Sequence, residues 1–334
     1  MLRAMETGDK SVVCIDVGTT NARAWLVSGD EVLARAQTQV GVRDTAREGS
    51  ATRLRAALKD LIARVCAGAP PPSYVAAAGM ITSSLGLAEV AHIEAPAGIE
   101  DLARSVERHS FDDITELPLY LVPGVRTGPM RSALDTINNT DVMRGEETLC
   151  VGLVGSGLLK GPTTLLNLGS HWKAIRIDER QRIQSSVTTL SGELIHTAQT
   201  QTILASAVPH ERLAAIDDRW VDAGMQEERR SGLSRALFSV RLLEQKSDGS
   251  PEQRLSFLAG VFIAADLDAF MSGRTLSGDG PVVITGGGAL AEAWLHALSR
   301  ASIRALALNE SEVERGLLAG LRSVVEKRSS DDGG

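Results

Sequence analysis

The sequence predicts an α/β protein assembled from two related halves, and three observations carry that reading. Near the N-terminus, "VVCIDVGTTNARAWLV" reads as a buried strand, a Gly-Thr-Thr-Asn turn and a second strand. Half a chain later "TTLLNLGSHWKAIRI" repeats the design, with Gly18 over Gly169, Asp16 over Asn167, Thr19 over Ser170 and Ala24 over Ile175. The elements that follow each hairpin run in similar order, β-β-β-α-β-α in the first half.

The elements are justified in turn. "SVVCIDVG" is an unbroken apolar run, as a strand buried on both faces requires. "ARAWLVSGDEVLARAQTQV" alternates with period two around Ser28-Gly29-Asp30, a hairpin signal. "TRLRAALKDLIARVCAG" places Leu54, Leu58, Leu61, Ile62 and Val65 on one helical face, and Gly68 and Pro70 stop it. "PPSYVAAAGMITS" is a short buried strand ending in glycine, and "LYLVPGVRT" is a strand and turn. "DVMRGEETLCVGLVGSGLL" opens a helix with carboxylates in its first turn. "TTLLNLGSHWKAIRIDERQRIQSSVTTL" returns to strands, and "SGELIHTAQTQTILASAV" is helical with Ser191 as N-cap. Residues 211–274 read as helices broken by "KSDGSPE". "PVVITGGGALAEAWLHALS" is strand, glycine turn and helix, and "ESEVERGLLAGLRSVVEK" closes the chain.

Composition excludes several classes. The 334 residues suffice for two ordinary domains, placed at 10–140 and 141–328, with 329–334 an expected disordered tail. A net charge of −7 without a basic patch argues against nucleic acid. Three widely spaced cysteines suggest neither a disulfide framework nor a zinc site and fit a reducing cytoplasm, with Cys14 and Cys150 expected in the core. The start, "MLRAMETGDKS", has no apolar signal core, and no apolar run is judged to reach the ~20 residues of a membrane span.

The turn residues carry the candidate chemistry. Gly18, Thr19, Thr20 and Asn21 offer close backbone approach, N–H groups that can nest an anion, and short polar side chains. Asp16 beside them can hold Mg²⁺. Phosphoryl transfer needs both parts, while an ordinary polar hairpin turn accounts for the same residues without a ligand. The second turn, Gly169 and Ser170, adds His171 and Lys173, whose ammonium would neutralise phosphate charge; a locally bonded turn histidine and a solvated strand lysine account for the same two residues. Asn167 replaces the acid, so the two turns would clamp a polyphosphate with one metal anchor. Gly286, Gly287 and Gly288 lie where a strand enters a helix, a place that favours anions or a nucleotide, although tight strand–helix packing gives the same pattern. Neither a GxGxxG dinucleotide fingerprint at that turn nor a Walker motif occurs. Glu146 and Glu147 are candidate general bases, or simply first-turn acids favoured by the helix dipole. Arg144 and Arg23 are candidate anchors for a substrate carboxylate, Arg23 alternatively a salt-bridged strand residue. Met80, in "AAAGMITSSLG", and Glu193, on one helical face with His196, complete the substrate-side candidates.

Two Gly-Thr and Gly-Ser hairpins and a late glycine turn resemble the superfamily of sugar kinases, heat-shock ATPases and actin. The resemblance implies two duplicated ribonuclease-H-like domains, the actin-like ATPase fold, with a cleft that closes on ATP. In it the turns at Gly18 and Gly169 correspond to two phosphate motifs and "ITGGGAL" to the adenosine motif. "RGLLAGLRSV" corresponds to the last interdomain connection, with Ala319 and Gly320 letting a helix approach the other domain. "DVGTTNARAWLV", "AAGMITS", "DVMRGEETL", "LGSHWKAIRID" and "TTLSGELIH", in this order, are similar to the 2-dehydro-3-deoxygalactonokinase family from about residue 12 to 325. That family implies ATP- and Mg²⁺-dependent phosphorylation of the 6-hydroxyl of 2-dehydro-3-deoxy-D-galactonate in galactonate breakdown. It also implies a cytoplasmic enzyme whose partners are a sugar acid and ATP, with no membrane or nucleic acid; a homodimer is compatible. Two positions depart from the family pattern: Trp172-Lys173-Ala174 in the second turn, and Gly86-Leu87 where Gly-Trp is expected. The alternatives are an exopolyphosphatase-type phosphatase, which Asn167 weighs against, and a non-catalytic sugar-responsive regulator, which lacks room for a DNA-binding segment before the first strand. A chaperone-like ATPase would need a substrate-binding extension.

Overall fold

The computed structural model describes residues 11–129, 134–212, 214–273, 275–276 and 279–331, the side chains of 330 and 331 excepted. Residue 10 and residues 332–334, at the ends of the expected domains and tail, lie outside them. The chain divides into two compact units, residues 1–128, 142–158 and 314–334 in one, and 129–141 and 159–313 in the other. The sequence reading cuts the chain once, at 140/141. The units differ from it because two helices return to the first one, for a reason given below.

In the first unit, Val12–Val17 (β1), Ala22–Ser28 (β2) and Glu31–Thr38 (β3) form an antiparallel meander. Val42–Glu48 (α1) and Thr52–Cys66 (α2) follow. Val75–Gly79 (β4) then pairs parallel to β1. After Ile93–Glu94 (β5) and Ile99–Arg104 (α3), Glu107–Phe111 (β6) and Thr115–Leu121 (β7) complete a sheet of order β3-β2-β1-β4-β7-β6. Val125–Thr127 (β8) and Asp141–Met143 (β9) join β5 in a small second sheet, and Glu146–Gly155 (α4) comes next. The five predicted face residues of α2 are all buried, against Val13, Ile15 and Leu26 of the sheet among others. The short elements α1, α3, β5 and β6 escape the sequence reading because too few residues define a period.

The second unit repeats the topology. Thr163–Leu168 (β10), Trp172–Ile177 (β11) and Ile183–Thr189 (β12) are the antiparallel meander. Ser191–Gln201 (α5), Asp218–Ser231 (α6), Leu233–Gln245 (α7) and Pro251–Ser272 (α8) follow. Val282–Thr285 (β13) pairs parallel to β10, and Ala289–Arg300 (α9) leads to Ala305–Ala307 (β14), also parallel. The order β12-β11-β10-β13-β14 is that of the first five strands of the other sheet. Two copies of one strand order, three antiparallel and two parallel, are the duplicated ribonuclease-H-like design.

Glu310–Asp331 (α10) ends the described chain and runs through Asp331, into the segment expected to be a disordered tail. Its glycines meet α4, which clusters with it in the first unit. A Cβ on Gly320 would lie 1.8 Å from the Thr148 carbonyl oxygen, and one on Gly152 would lie 1.8 Å from that of Gly316. The two helix backbones therefore touch, which no side chain at those positions permits. Glu314 fixes the same helix by accepting from Trp25 Nε1 at 2.9 Å and from Arg35 Nη2 at 2.6 Å.

One helix corrects the reading that no stretch is long and apolar enough to cross a membrane: α8 is. It is the central core helix of the second unit, with Leu258, Val261, Phe262, Ile263 and Phe270 packed among α5, α6, α9 and the sheet. Cys14 and Cys150 are buried as expected, and burial pushes the Cys14 thiol up to about 12, so it stays protonated and inert.

Candidate active site

Each unit gathers its candidate residues where its parallel strands end, the place where open α/β sheets bind ligands. In the first unit, Asp16 ends β1 and the tight turn closes with Gly18 N–H donating to the Asn21 carbonyl at 2.8 Å. The turn's other carbonyls face the start of α1. Gly18 O accepts from Val42 N at 3.3 Å and Thr19 O from Arg43 N at 2.9 Å. Gly41 makes this possible, since a Cβ there would lie 2.5 Å from Thr19 O. Peptide units whose carbonyls point one way present their N–H groups the other way, which is the arrangement an anion nest needs.

The second unit builds its turn the same way. Gly192 starts α5 the same number of residues after Gly169 as Gly41 follows Gly18. A Cβ on Gly192 would lie 2.2 Å from Gly169 O and 2.7 Å from Ser170 O, and Glu193 N donates to Ser170 O at 2.7 Å. Gly286, at a φ of +96°, brings the glycine turn after β13 against the same place: its Cβ would meet Leu168 O at 2.4 Å. Thr285 Oγ1 donates to Asn167 Oδ1 at 3.0 Å. Gly169, Ser170 and Gly286 to Gly288 are thus neighbours at the ends of β10 and β13. Lys173 is buried on β11, opposite Asn167, rather than solvated.

Around Asp16 two glycines replace side chains. Gly79, at a φ of +86°, would place a Cβ 2.4 Å from Val17 O and 3.0 Å from Asp16 Oδ1. Gly145, at a φ of +107°, packs on Gly79 with its Cβ position 3.7 Å from Asp16 Oδ1. Both φ values are ones that side-chain-bearing residues rarely adopt. Asp16, Gly79 and the start of α4 are thereby brought together, with Oδ1 bordered by glycine and Oδ2 accepting from Arg23 Nη2 at 2.6 Å. That surrounding suits Mg²⁺, which takes one or two carboxylates and keeps waters and phosphates as its other ligands. Among the described residues no cluster of three or more His, Cys, Asp or Glu forms an all-protein metal cage.

The remaining candidates fall into place as follows. Glu147 is fully buried, and both its oxygens lie 2.8 Å from Gly145 N. Glu146, the first residue of α4, is partly exposed. Arg144 donates to Thr82 Oγ1 at 2.7 Å and to the Val90 carbonyl at 2.9 Å, and its Nη2 lies 3.3 Å from His92 Nδ1. Burial lowers its pKa. Arg23 pairs with Asp16 and lies over the Trp25 ring. Met80 is half-buried against the sheet core. Glu193 meets His171 at 3.2 Å rather than His196. Thr20 and Asn21 bond each other at 2.9 Å.

Sequence reasoning missed Gly41 and Gly192, and read Gly79 and Gly145 only as the end of a strand and the start of a helix. The equal spacing of Gly41 and Gly192 from their turn glycines was the available signal. It also misassigned Ser191: the N-cap of α5 is Leu190, and the Ser191 hydroxyl donates instead to Asp266 Oδ1 at 2.8 Å. Asp266, on α8, also accepts from Thr189 Oγ1 at 2.5 Å. Burial pushes its carboxyl up to about 6, against the opposing pull of those two hydroxyls. The folded chain thus holds this proton more tightly than the unfolded one. Its contribution to stability should fall as pH rises from about 4 to about 6. Urea midpoints over that range should show a falling component in the wild type that Asp266→Asn removes.

Trp172, displaced from the family pattern, is fully buried on the face of β11 opposite Lys173 and meets Trp294 edge-on at 5.6 Å. Its role is in the core. Leu87 packs partly against the first unit's core.

The duplicated sheets and their glycine turns define the sugar kinase and actin-like ATPase fold class. Residues 16–322 match the 2-keto-3-deoxy-galactonokinase family. The 2-dehydro-3-deoxygalactonokinase of Escherichia coli K12 is 27% identical over 256 residues, 76% of this chain and 78% of that one. A crystal structure of a Sinorhizobium meliloti protein assigned as a 2-dehydro-3-deoxygalactonokinase superposes with a TM-score of 0.72 at 25% identity, covering 93% of this chain and 96% of that one. The Clostridium difficile activator of 2-hydroxyisocaproyl-CoA dehydratase, solved with bound ADPNP, shares the fold at 11% identity, a TM-score of 0.53 and coverage of 97% and 98%. The chain belongs to the 2-keto-3-deoxy-galactonokinase family and is a phosphotransferase, a sugar-acid kinase of galactonate catabolism.

Proposed function

We propose that the protein transfers the γ-phosphoryl group of ATP to the 6-hydroxyl of 2-dehydro-3-deoxy-D-galactonate, in the cytoplasm. The observation that carries this reading is the twin construction of the turns at Gly18 and Gly169. In each, a glycine at a helix start lets neighbouring helix N–H groups donate to the turn's carbonyls, an arrangement that leaves the opposite side of those peptide units for an anion. We assign phosphate contacts to Gly18, Thr19, Thr20 and Asn21 in the first unit, and to Gly169, Ser170, His171 and Lys173 in the second. Gly286 to Gly288 take the nucleoside side. Asp16 is the metal-holding carboxylate, and Mg²⁺ when bound supplies neutralisation of phosphate charge. Arg23 keeps Asp16 oriented.

The two glutamates divide the work. Glu147 accepts from Gly145 N–H, with both oxygens at 2.8 Å, and so fixes the corner that borders Asp16. Glu146 is then the base that accepts the hydroxyl proton as the phosphoryl group moves. Glu146→Gln should lower kcat at least 100-fold with nucleotide affinity within twofold, by kinetics and calorimetry. Glu147→Gln should instead lower Tm and kcat together. The reverse pattern would exchange the roles. Met80 and Glu193 remain on the acceptor side. Arg144, tied to Thr82 and Val90, orders the loop beside it.

The decisive assay couples ADP release to a panel of aldonic and 2-keto-3-deoxy acids. Turnover on the 2-keto-3-deoxy galactonate acid well above the ATP-only blank is expected. No response to any acid, with hydrolysis of polyphosphate, would overturn the reading in favour of the exopolyphosphatase type.

A further inference from the structure

We propose that Asp266, a carboxylate buried in the core helix α8, is the positioning residue of the Gly169–Ser170 turn. The inference rests on the reading of that turn as a phosphate contact. The other buried polar residues of α8 have local duties. Arg254 donates to the carbonyls of Ala207, Asp248 and Gly249, and Ser256 Oγ accepts from Asp217 N. Asp266 reaches elsewhere. Oδ2 accepts from Thr189 Oγ1 and Oδ1 from Ser191 Oγ, so one carboxylate grips both sides of the corner where β12 passes into α5. The next two residues are those that touch the turn: Gly192 against Gly169 O and Ser170 O, and Glu193 N on Ser170 O.

An ionised carboxylate has only acceptors, so both hydroxyls must donate and the corner is held in one arrangement. A buried acid is costly to keep, and the matching helix start in the first unit uses none. There the start of α1 is fixed from within its own helix, by Asp44 Oδ2 accepting from Gly41 N at 3.0 Å. Among the described residues α5 has no such capping box, and Leu190 has no polar side chain to cap the helix. The second turn is therefore referenced to the core helix, and the first to its own helix.

The test measures the affinity for the non-hydrolysable ATP analogue AMP-PNP with Mg²⁺ by calorimetry, with kinetics for the sugar acid. Asp266→Ala should weaken AMP-PNP at least tenfold while KM for the sugar acid stays within twofold. Asp266→Asn, which keeps one acceptor oxygen and the shape, should recover to within about threefold of wild type. Ser256→Ala, elsewhere on α8, should bind AMP-PNP normally at whatever cost to Tm. Gly192→Ala and Ser170→Ala perturb the turn itself. If they weaken AMP-PNP while Asp266→Ala binds within twofold of wild type, the positioning role is overturned and the turn's role stands. If both leave AMP-PNP unchanged, the phosphate reading of the turn fails, and the inference with it. Equal losses in Asp266→Ala and Ser256→Ala would also overturn it, as general loosening of α8. Should Asp266→Ala not fold, the double variant Thr189→Val with Ser191→Ala, which removes the same two bonds, decides in the same directions.

Discussion

Asp16→Asn should lower kcat about a thousandfold or more, roughly 4 kcal/mol of transition-state stabilisation, with the fold intact. The change keeps the shape and removes the charge that a hard divalent cation requires. Glycines border Oδ1 of Asp16 at positions 79 and 145, and Oδ2 is held by Arg23. Among the described residues Asp16 belongs to no group of three or more His, Cys, Asp or Glu able to hold a metal ion without other ligands. Stopped assays across a Mg²⁺ titration check this, and the circular dichroism of the variant should match the wild type. Activity within about threefold of wild type would remove Asp16 from the metal role.

Gly320→Ala should destabilise the protein by roughly 3 kcal/mol, the upper range for overpacking, and lower kcat with it. The added methyl would meet the Thr148 carbonyl oxygen at 1.8 Å, which is backbone and has no rotamer in which to retreat. α10 must then move off α4, and α4 carries Gly145, Glu146 and Glu147 to the neighbourhood of Asp16. Gly155→Ala, in the same helix α4, meets nothing within 4 Å. It should be neutral or stabilising by about 0.5 kcal/mol. Thermal melts of the two variants side by side separate close helix packing from helix propensity. Equal Tm values would refute the packing account.

Much of the fold was legible in the chain because its signals are local. A hairpin announces itself by period two and a glycine turn, and α2 by five apolar residues on one face. The repeat of "IDVGTTNARAW" as "LNLGSHWKAI" needs only two segments laid side by side. The candidate phosphate turns follow from the same comparison, since a Gly-Thr or Gly-Ser turn between strands is a chemical statement in itself. What the chain did not disclose was direction. Arg144 and Arg23 read as candidate anchors for a substrate acid, and Arg23 also as a salt-bridged strand residue; which acceptors they meet, Thr82 and Val90 for one and Asp16 for the other, appears only in the fold. Ser191 looked like a helix cap, yet it donates to a carboxylate on α8, far along the chain. A donor's residue type fixes what it can bond, and only packing fixes which acceptor arrives.

The α/β class, the duplication, the two glycine turns and the lone acid of the pair were readable along the chain, because each shows in a short run of residues or in two runs laid side by side. Only the folded chain shows that 142–158 and 314–334 return to the first unit, that Glu147 is buried against Gly145, and that Asp266 bonds the start of α5. The first rests on the backbones of α4 and α10 meeting at contact distance, and the last on side chains 77 and 75 residues apart in the chain. The Glu147 contact is local, but its burial comes from the packing around α4. In one strand or helix a missing side chain is indistinguishable from flexibility; only when a second backbone fills the space does the glycine acquire its meaning.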